Sequence, residues 1–166
     1  MRLTCSQKNL KSALDIVSMA VHSSSTLPVL NNILLNATSK KLFFSATNLE
    51  IAINYSIQAD VKNEGSITVP AKLITSYVSL LSDGEVEMKV EEGMTLHMKS
   101  PSSQTKIKGI SPDEFPLIPK VEREVSFTMP AKELGQAVER TVFSAAISGT
   151  RPILSGIYMH AEKDTL

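Results

Sequence analysis

The chain repeats itself, and a repeat of this kind leaves few folds open. Shifting the sequence by 124 positions lays Leu3–Leu42 on Phe127–Leu166 without a gap, and eleven of the 40 paired positions are identical. Unrelated segments of ordinary composition would share roughly 2–3. The phrase TLPVLNNILL at 26–35 returns as TRPILSGIYM at 150–159. A shorter unit is nested inside this one. LTCSQKNL (3–10), ITVPAKLI (67–74) and FTMPAKEL (127–134) share apolar-Thr-x-x-x-Lys-x-aliphatic, with threonines 64 and then 60 residues apart. Repeats of this length mark a supersecondary unit that has been copied.

Each short phrase reads as a strand running into a helix, with Pro70 and Pro130 near a helix N-terminus, where a missing N–H costs little. Three amphipathic helices follow. Their apolar faces are Leu10, Ala13, Leu14, Val17 and Val21; Ile74, Tyr77, Val78 and Leu81; and Leu134, Ala137, Val138 and Val142. All three keep the i, i+3, i+4, i+7 spacing. The second helix is expected over 71–82. Strands are expected near 29–36, 41–46 and 49–57 after the first helix, and at 85–90, 95–100 and 103–110 after the second, where EEG at 91–93 closes a hairpin. Each half-unit is thus strand-helix-strand-strand-strand. Two half-units predict an α+β domain over 1–110, with two helices packed on one side of two antiparallel sheets. SPDEFPLIPK, with prolines at 112, 116 and 119, opens an extended linker over 111–124. Residues 125–166 are expected to start a second, incomplete domain of one strand, one helix and one or two further strands.

Composition narrows the function. Seventeen basic residues balance seventeen acidic ones, which argues against a protein that coats nucleic acid through bulk charge. Cys5 is the only cysteine, so no disulfide forms within the chain, and a reducing, cytoplasmic compartment is expected. No apolar run reaches membrane-spanning length, and MRLTCSQKNL lacks a signal-peptide core. His22, His97 and His160 share no metal-ligand spacing with Cys5 or each other. Glu85 and Glu87 alternate on one solvated strand face rather than pairing for acid-base work. There is no GxGxxG, P-loop or GxSxG. These residues predict a non-enzymatic protein with no metal and no cofactor.

The helix surfaces are the informative feature. The second helix offers Lys72, Thr75, Ser76, Ser79 and Ser82 with no acid between Ala71 and Ser82, and the first offers Lys8, Asn9, Lys11 and Ser12 against Asp15 alone. One reading is a solvated face. The other is a mildly positive wall of small side chains that tolerates a passing polyanion without gripping it.

The duplicated strand-helix phrases, together with TNLEIAI (47–53) and the DEFP of 113–116, resemble those of the bacterial DNA sliding clamp, the beta subunit of the replicative polymerase. The resemblance covers the whole chain. It implies a processivity factor that encircles duplex DNA, independent of sequence, as a ring of two head-to-tail subunits, each of three such domains. Helices line the hole. The replicative polymerase and the clamp loader dock through peptide motifs. Here the resemblance accounts for the first domain and the opening third of the second, which leaves the 166-residue polypeptide unable to close a ring alone. It places DNA-facing positions at Ser24, Lys72, Ser148, Pro152 and Ile153, beside Lys8 and Lys11. Ser24 stands where the family carries a base. It assigns Arg151 and Leu154 to the partner-peptide cleft. Tyr77, Leu81, Thr105 and Ile107 fall at the subunit interface, with Thr105 where an aromatic residue is usual. The competing reading is a truncated clamp-like module that binds other proteins and does not tether anything to DNA.

Overall fold

The computed structural model describes residues 1–21, 27–119, 126–147 and 151–162. The chain divides into two compact units, 1–119 and 120–166.

In the first unit, β1 (Arg2–Ser6) leads straight into α1 (Gln7–Val17). Leu10, Ala13, Leu14 and Val17 are buried on one face of α1, as their spacing requires. Ser6 at the N-cap makes no side-chain cap bond, so α1 is held by packing rather than by its ends. A 3-10 turn over Ser18–Ala20 closes it. The strands β2 (Asn32–Thr38), β3 (Lys41–Thr47) and β4 (Ala52–Gln58) follow, then a short β5 (Asp60–Asn63). The second half-unit runs β6 (Gly65–Pro70), α2 (Ala71–Ser79), β7 (Glu85–Glu91), β8 (Thr95–Lys99) and β9 (Gln104–Lys108).

The two antiparallel sheets and two helices are those the repeat predicts, but the half-units exchange their first strands. The sheets are ordered β5-β1-β7-β8-β9 and β4-β3-β2-β6. Strand β1 therefore pairs with β7 of the second half, Thr4 opposite Glu87, while β6 pairs with β2 of the first, Leu34 opposite Thr68. The exchange is locked where strand meets helix. The Gln7 N–H donates to the Gly84 carbonyl at 2.8 Å, and the buried Gln7 Nε2 donates to the Val78 carbonyl at 2.9 Å. The first residue of α1 is thereby fastened to both ends of the α2–β7 connection. Neither half buries its apolar face alone, and one core joins both sheets and both helices, with Leu3, Leu14, Phe44, Ile74 and Met98 among its fully buried members.

Several boundaries shift from the expected ones. The strand expected from 29 begins at Asn32, because Pro28–Asn31 form a 3-10 turn. The strand expected from 49 begins at Ala52. Asn48 Oδ1 accepts the Glu50 and Ile51 N–H groups at 3.0 and 2.8 Å and turns residues 48–51 into the β3–β4 connection. Helix α2 ends at Ser79. Gly93, at φ 72°, takes the left-handed conformation of the β7–β8 turn, which glycine adopts without a Cβ penalty.

Packing continues past Ile110, where the repeat ends. Gly109 lies so close to β6 that a Cβ there would sit 2.4 Å from the Thr68 carbonyl oxygen and 2.8 Å from the Ile67 side chain. The obstacle is backbone and cannot rotate away. Gly109→Ala is expected to lower unfolding free energy by about 1–3 kcal/mol, as overpacking does. Urea denaturation checks this; an unchanged midpoint would contradict it.

The second unit contains α3 (Ala131–Thr141), a 3-10 turn over Val142–Ser144 and another over Pro152–Ser155. The helix falls where the repeat places it. The strands expected on either side do not form among the described residues: 126–130 and 157–160 are irregular. A strand exists through its ladder bonds, and no described strand of this unit supplies them. No described residue of the unit is buried, and Phe143 is 81% exposed.

Candidate functional site

The two helix faces form one polar surface because α1 and α2 pack against each other over the shared core. Lys8, Asn9 and Ser12 are exposed on α1; Lys72, Ser76 and Ser79 are exposed on α2. Lys8 and Lys72 form no ion pair among the described residues. Lys11 is different: its Nζ lies 2.6 Å from Asp15 Oδ2, one turn on. A phosphate would have to compete with that carboxylate, so Lys11 is a weaker electrostatic contributor than its sequence position implies. Ser24 and Ser148 lie outside the described residues. Pro152 opens the 3-10 turn of the second unit, and Ile153 is exposed on it.

Arg151 and Leu154 come together in that same turn. The Leu154 N–H donates to the Arg151 carbonyl at 3.1 Å, and the Leu154 carbonyl accepts the Ala146 N–H at 2.8 Å. Both side chains are exposed. Exposed in this way, they form no enclosed pocket by themselves.

The four candidate interface positions separate by burial. Tyr77 and Thr105 are half-buried, whereas Leu81 is 8% and Ile107 6% exposed, both members of the core. Leu81 and Ile107 support the edge without presenting it. Beside them the structure brings out two residues that the sequence reading passed over. Leu73 stands exposed on α2, at 57%, and Leu80 at its C-cap, at 85%. With Tyr77 they form a second apolar stripe at i, i+4 and i+7, offset from the buried face of Ala71, Ile74 and Val78. That spacing was available in the sequence; the polar serines between them masked it. The Tyr77 hydroxyl donates to Ser103 Oγ at 3.1 Å, which ties the stripe to the start of β9. Strand β9 ends its sheet and, among the described residues, pairs only with β8. Its outward side chains include Lys106, bonded to Glu91 at 2.8 Å, and Lys108, which donates to the Gly93 carbonyl. Lysines are common guards of an open strand edge.

The charged groups elsewhere are structural. Glu87 is held below the ordinary carboxylate range, first by hydrogen bonding to Arg2 at 2.6 and 2.9 Å and then by the same guanidinium's charge. Glu91 is lowered by its bond to Lys106. Burial pushes the Cys5 thiol up to about 12, so it stays neutral and inert at physiological pH. No group of three or more His, Cys, Asp or Glu residues suited to a metal occurs among the described residues, and no described helix is long and apolar enough to cross a membrane.

An internally duplicated α+β unit, with two adjacent helices offering cations and small polar groups and an open sheet edge flanked by an apolar stripe, is the architecture of the DNA-clamp class of folds. The family model for the DNA polymerase III beta subunit, N-terminal domain, matches residues 1–119, and the chain belongs to that family. It is 34% identical to the beta sliding clamp of Synechocystis over all of its length and 44% of the relative's. It is 32% identical to that of Halalkalibacterium halodurans over 90% of this chain and 42% of the relative's. Among solved structures, Caulobacter crescentus pol III beta superposes with a TM-score of 0.90 at 29% identity, covering 99% of this chain and 44% of that one. The Pseudomonas aeruginosa beta subunit gives 0.86 at 27%, covering 94% and 43%. The chain thus spans under half the length of the relatives it matches.

Proposed function

We propose that these residues form part of a DNA sliding clamp, a non-catalytic, cytoplasmic processivity factor that encloses duplex DNA and tethers the replicative polymerase. Family membership supports this, and the helix surface carries it: exposed Lys8 and Lys72 amid serines and asparagine, with the one acid of α1 already paired to Lys11. Such a wall attracts phosphates weakly and reads no base edges, which keeps barriers to sliding low. Ser24, Ser148, Pro152 and Ile153 are proposed to face DNA with it. Residues 1–110 are the proposed first clamp domain, 111–124 the connection, and 125–166 the start of the second. Arg151 and Leu154 contribute to the cleft for polymerase and clamp-loader peptides. The subunit contact in a homodimeric ring uses the β9 edge with Tyr77 and Thr105, widened by Leu73 and Leu80 and backed by Leu81 and Ile107.

Binding by the 166-residue polypeptide tests the electrostatic part. Neutralising only ~2–4 phosphates predicts sequence-independent affinity of ~10⁻⁴ M or weaker and a salt slope between about −2 and −4. Lys72→Glu and Lys8→Glu are each expected to flatten that slope by about 1. Fluorescence anisotropy on labelled duplexes across a salt series measures it. A slope steeper than about −6, or a preference among sequences, would overturn the proposal that this face only brushes the backbone.

A further inference from the structure

The proline-rich segment after β9 is docked, and its docking is separate from the main core. Ile110 bridges β6 through two backbone bonds, its N–H to the Thr68 carbonyl at 3.0 Å and its carbonyl to the Thr68 N–H at 3.2 Å. Thr68 Oγ1 also donates to the Ile110 carbonyl at 3.0 Å and accepts Asn32 Nδ2 at 3.1 Å. Thr68 and Asn32 alternate with the inward-facing Ile67, Val69 and Ile33, so they point away from the main core, yet both are buried. The chain beyond Ile110 accounts for that burial. Residues Pro112–Glu114 make a 3-10 turn capped by Ser111, packed near β6. Phe115, 8% exposed, then sits with Val29 and Leu30, flanked by Leu34 and Ile118. This cluster shares no residue with the main core.

We propose that residues 110–118 form a latch, a strap pinned by Ile110 and Phe115 to the outer face of the four-stranded sheet, which opens and closes while the main core stays folded. A small satellite cluster is the kind of unit that opens below the global unfolding free energy. Pro112 and Pro116 restrict the undocked strap and reduce the entropy lost on docking. Closed, the latch covers the outer edge of β6 and moves the chain's exit from the first unit to Pro119. Open, it exposes that edge and adds about nine residues of free chain, a reach of up to roughly 30–32 Å. The latch sets how much slack the chain has as it leaves the first unit.

Native-state hydrogen exchange on the whole 166-residue chain tests the proposal. The amides of Thr68, Ile110, Glu114 and Phe115 are expected to share one opening at least about tenfold more frequent than the opening that exposes β7 and β8. Phe115→Ala should accelerate that group by about tenfold or more, since it removes the largest side chain of the cluster, and leave β7 and β8 unchanged. Ile118→Ala should act in the same direction and less strongly. Exchange of the strap together with β7 and β8 in the unsubstituted chain would overturn the latch. So would uniform acceleration in Phe115→Ala, or failure of that variant to fold, because a latch is dispensable to the core.

Discussion

Phe44→Ala is expected to lower the unfolding free energy by about 3–5 kcal/mol, the cost of deleting a fully buried aromatic side chain and leaving a cavity. Phe44 lies at the centre of β3, opposite Leu35 of β2, and has no exposed surface. It belongs to the single core that both half-units share, so no part of the first unit is insulated from its loss. The neighbouring Phe43 is an internal control. Strand period turns it to the opposite face, where it is 40% exposed, and Phe43→Ala is expected to cost under about 1 kcal/mol. Urea melts of the two variants check the contrast. Equal losses would show that β3 does not hold the register on which the fold depends.

The second large effect concerns association. Leu73 and Leu80 are exposed in the first unit and contribute little to its core. A substitution that only removes surface apolar groups should leave stability within about 0.5 kcal/mol. In a complete two-subunit ring, the same side chains would be buried beside an added strand at the β9 edge. Leu73→Asp with Leu80→Asp would then place two carboxylates in a desolvated contact, where central apolar anchors each carry upward of ~2 kcal/mol. Subunit dissociation is expected to rise by at least about 100-fold, with the thermal midpoint of the isolated chain nearly unchanged. Analytical ultracentrifugation of a ring-forming protein carrying this segment measures it. A dimer as tight as the parent would remove α2 from the interface.

Local forces were legible in the sequence, and non-local ones were not. The helix faces of Leu10, Ala13, Leu14 and Val17, and of Ile74 and Val78, are written at fixed spacing, and the 64-residue offset repeats their context. Two neighbouring strands of the five-stranded sheet could be read from the alternation in EVEMKV and TLHMKS. Pairing across the repeat was not legible, because periodicity shows which face of β1 is buried and says nothing of its neighbour. Strand β5 escaped notice since DVKN carries one apolar residue, too few to show a period. The strap was hidden for a related reason. Proline content predicts an extended chain, and only the fold shows that Phe115 has a site beside Val29 and Leu30. In the second unit the repeat correctly placed α3, while its strands depend on partners that repetition alone does not provide. For the candidate site, Lys8 and Lys72 were readable as exposed cations on polar helix faces. The pairing of Lys11 with Asp15 and the inward turn of Ile107 required coordinates.

The central claim is that these residues belong to a ring that holds DNA by topology and not by grip. The direct measurement replaces the matching segment of the Synechocystis beta sliding clamp, to which the chain is 34% identical, with residues 1–166. The chimera is assembled on nicked circular plasmid and washed with high salt, and the protein retained is counted before and after the circle is cut. The account predicts retention through the wash on circles, where screening removes weak phosphate contacts, and loss within minutes of linearisation. Retention that survives cutting, or a dimeric chimera that washes off intact circles, would contradict it.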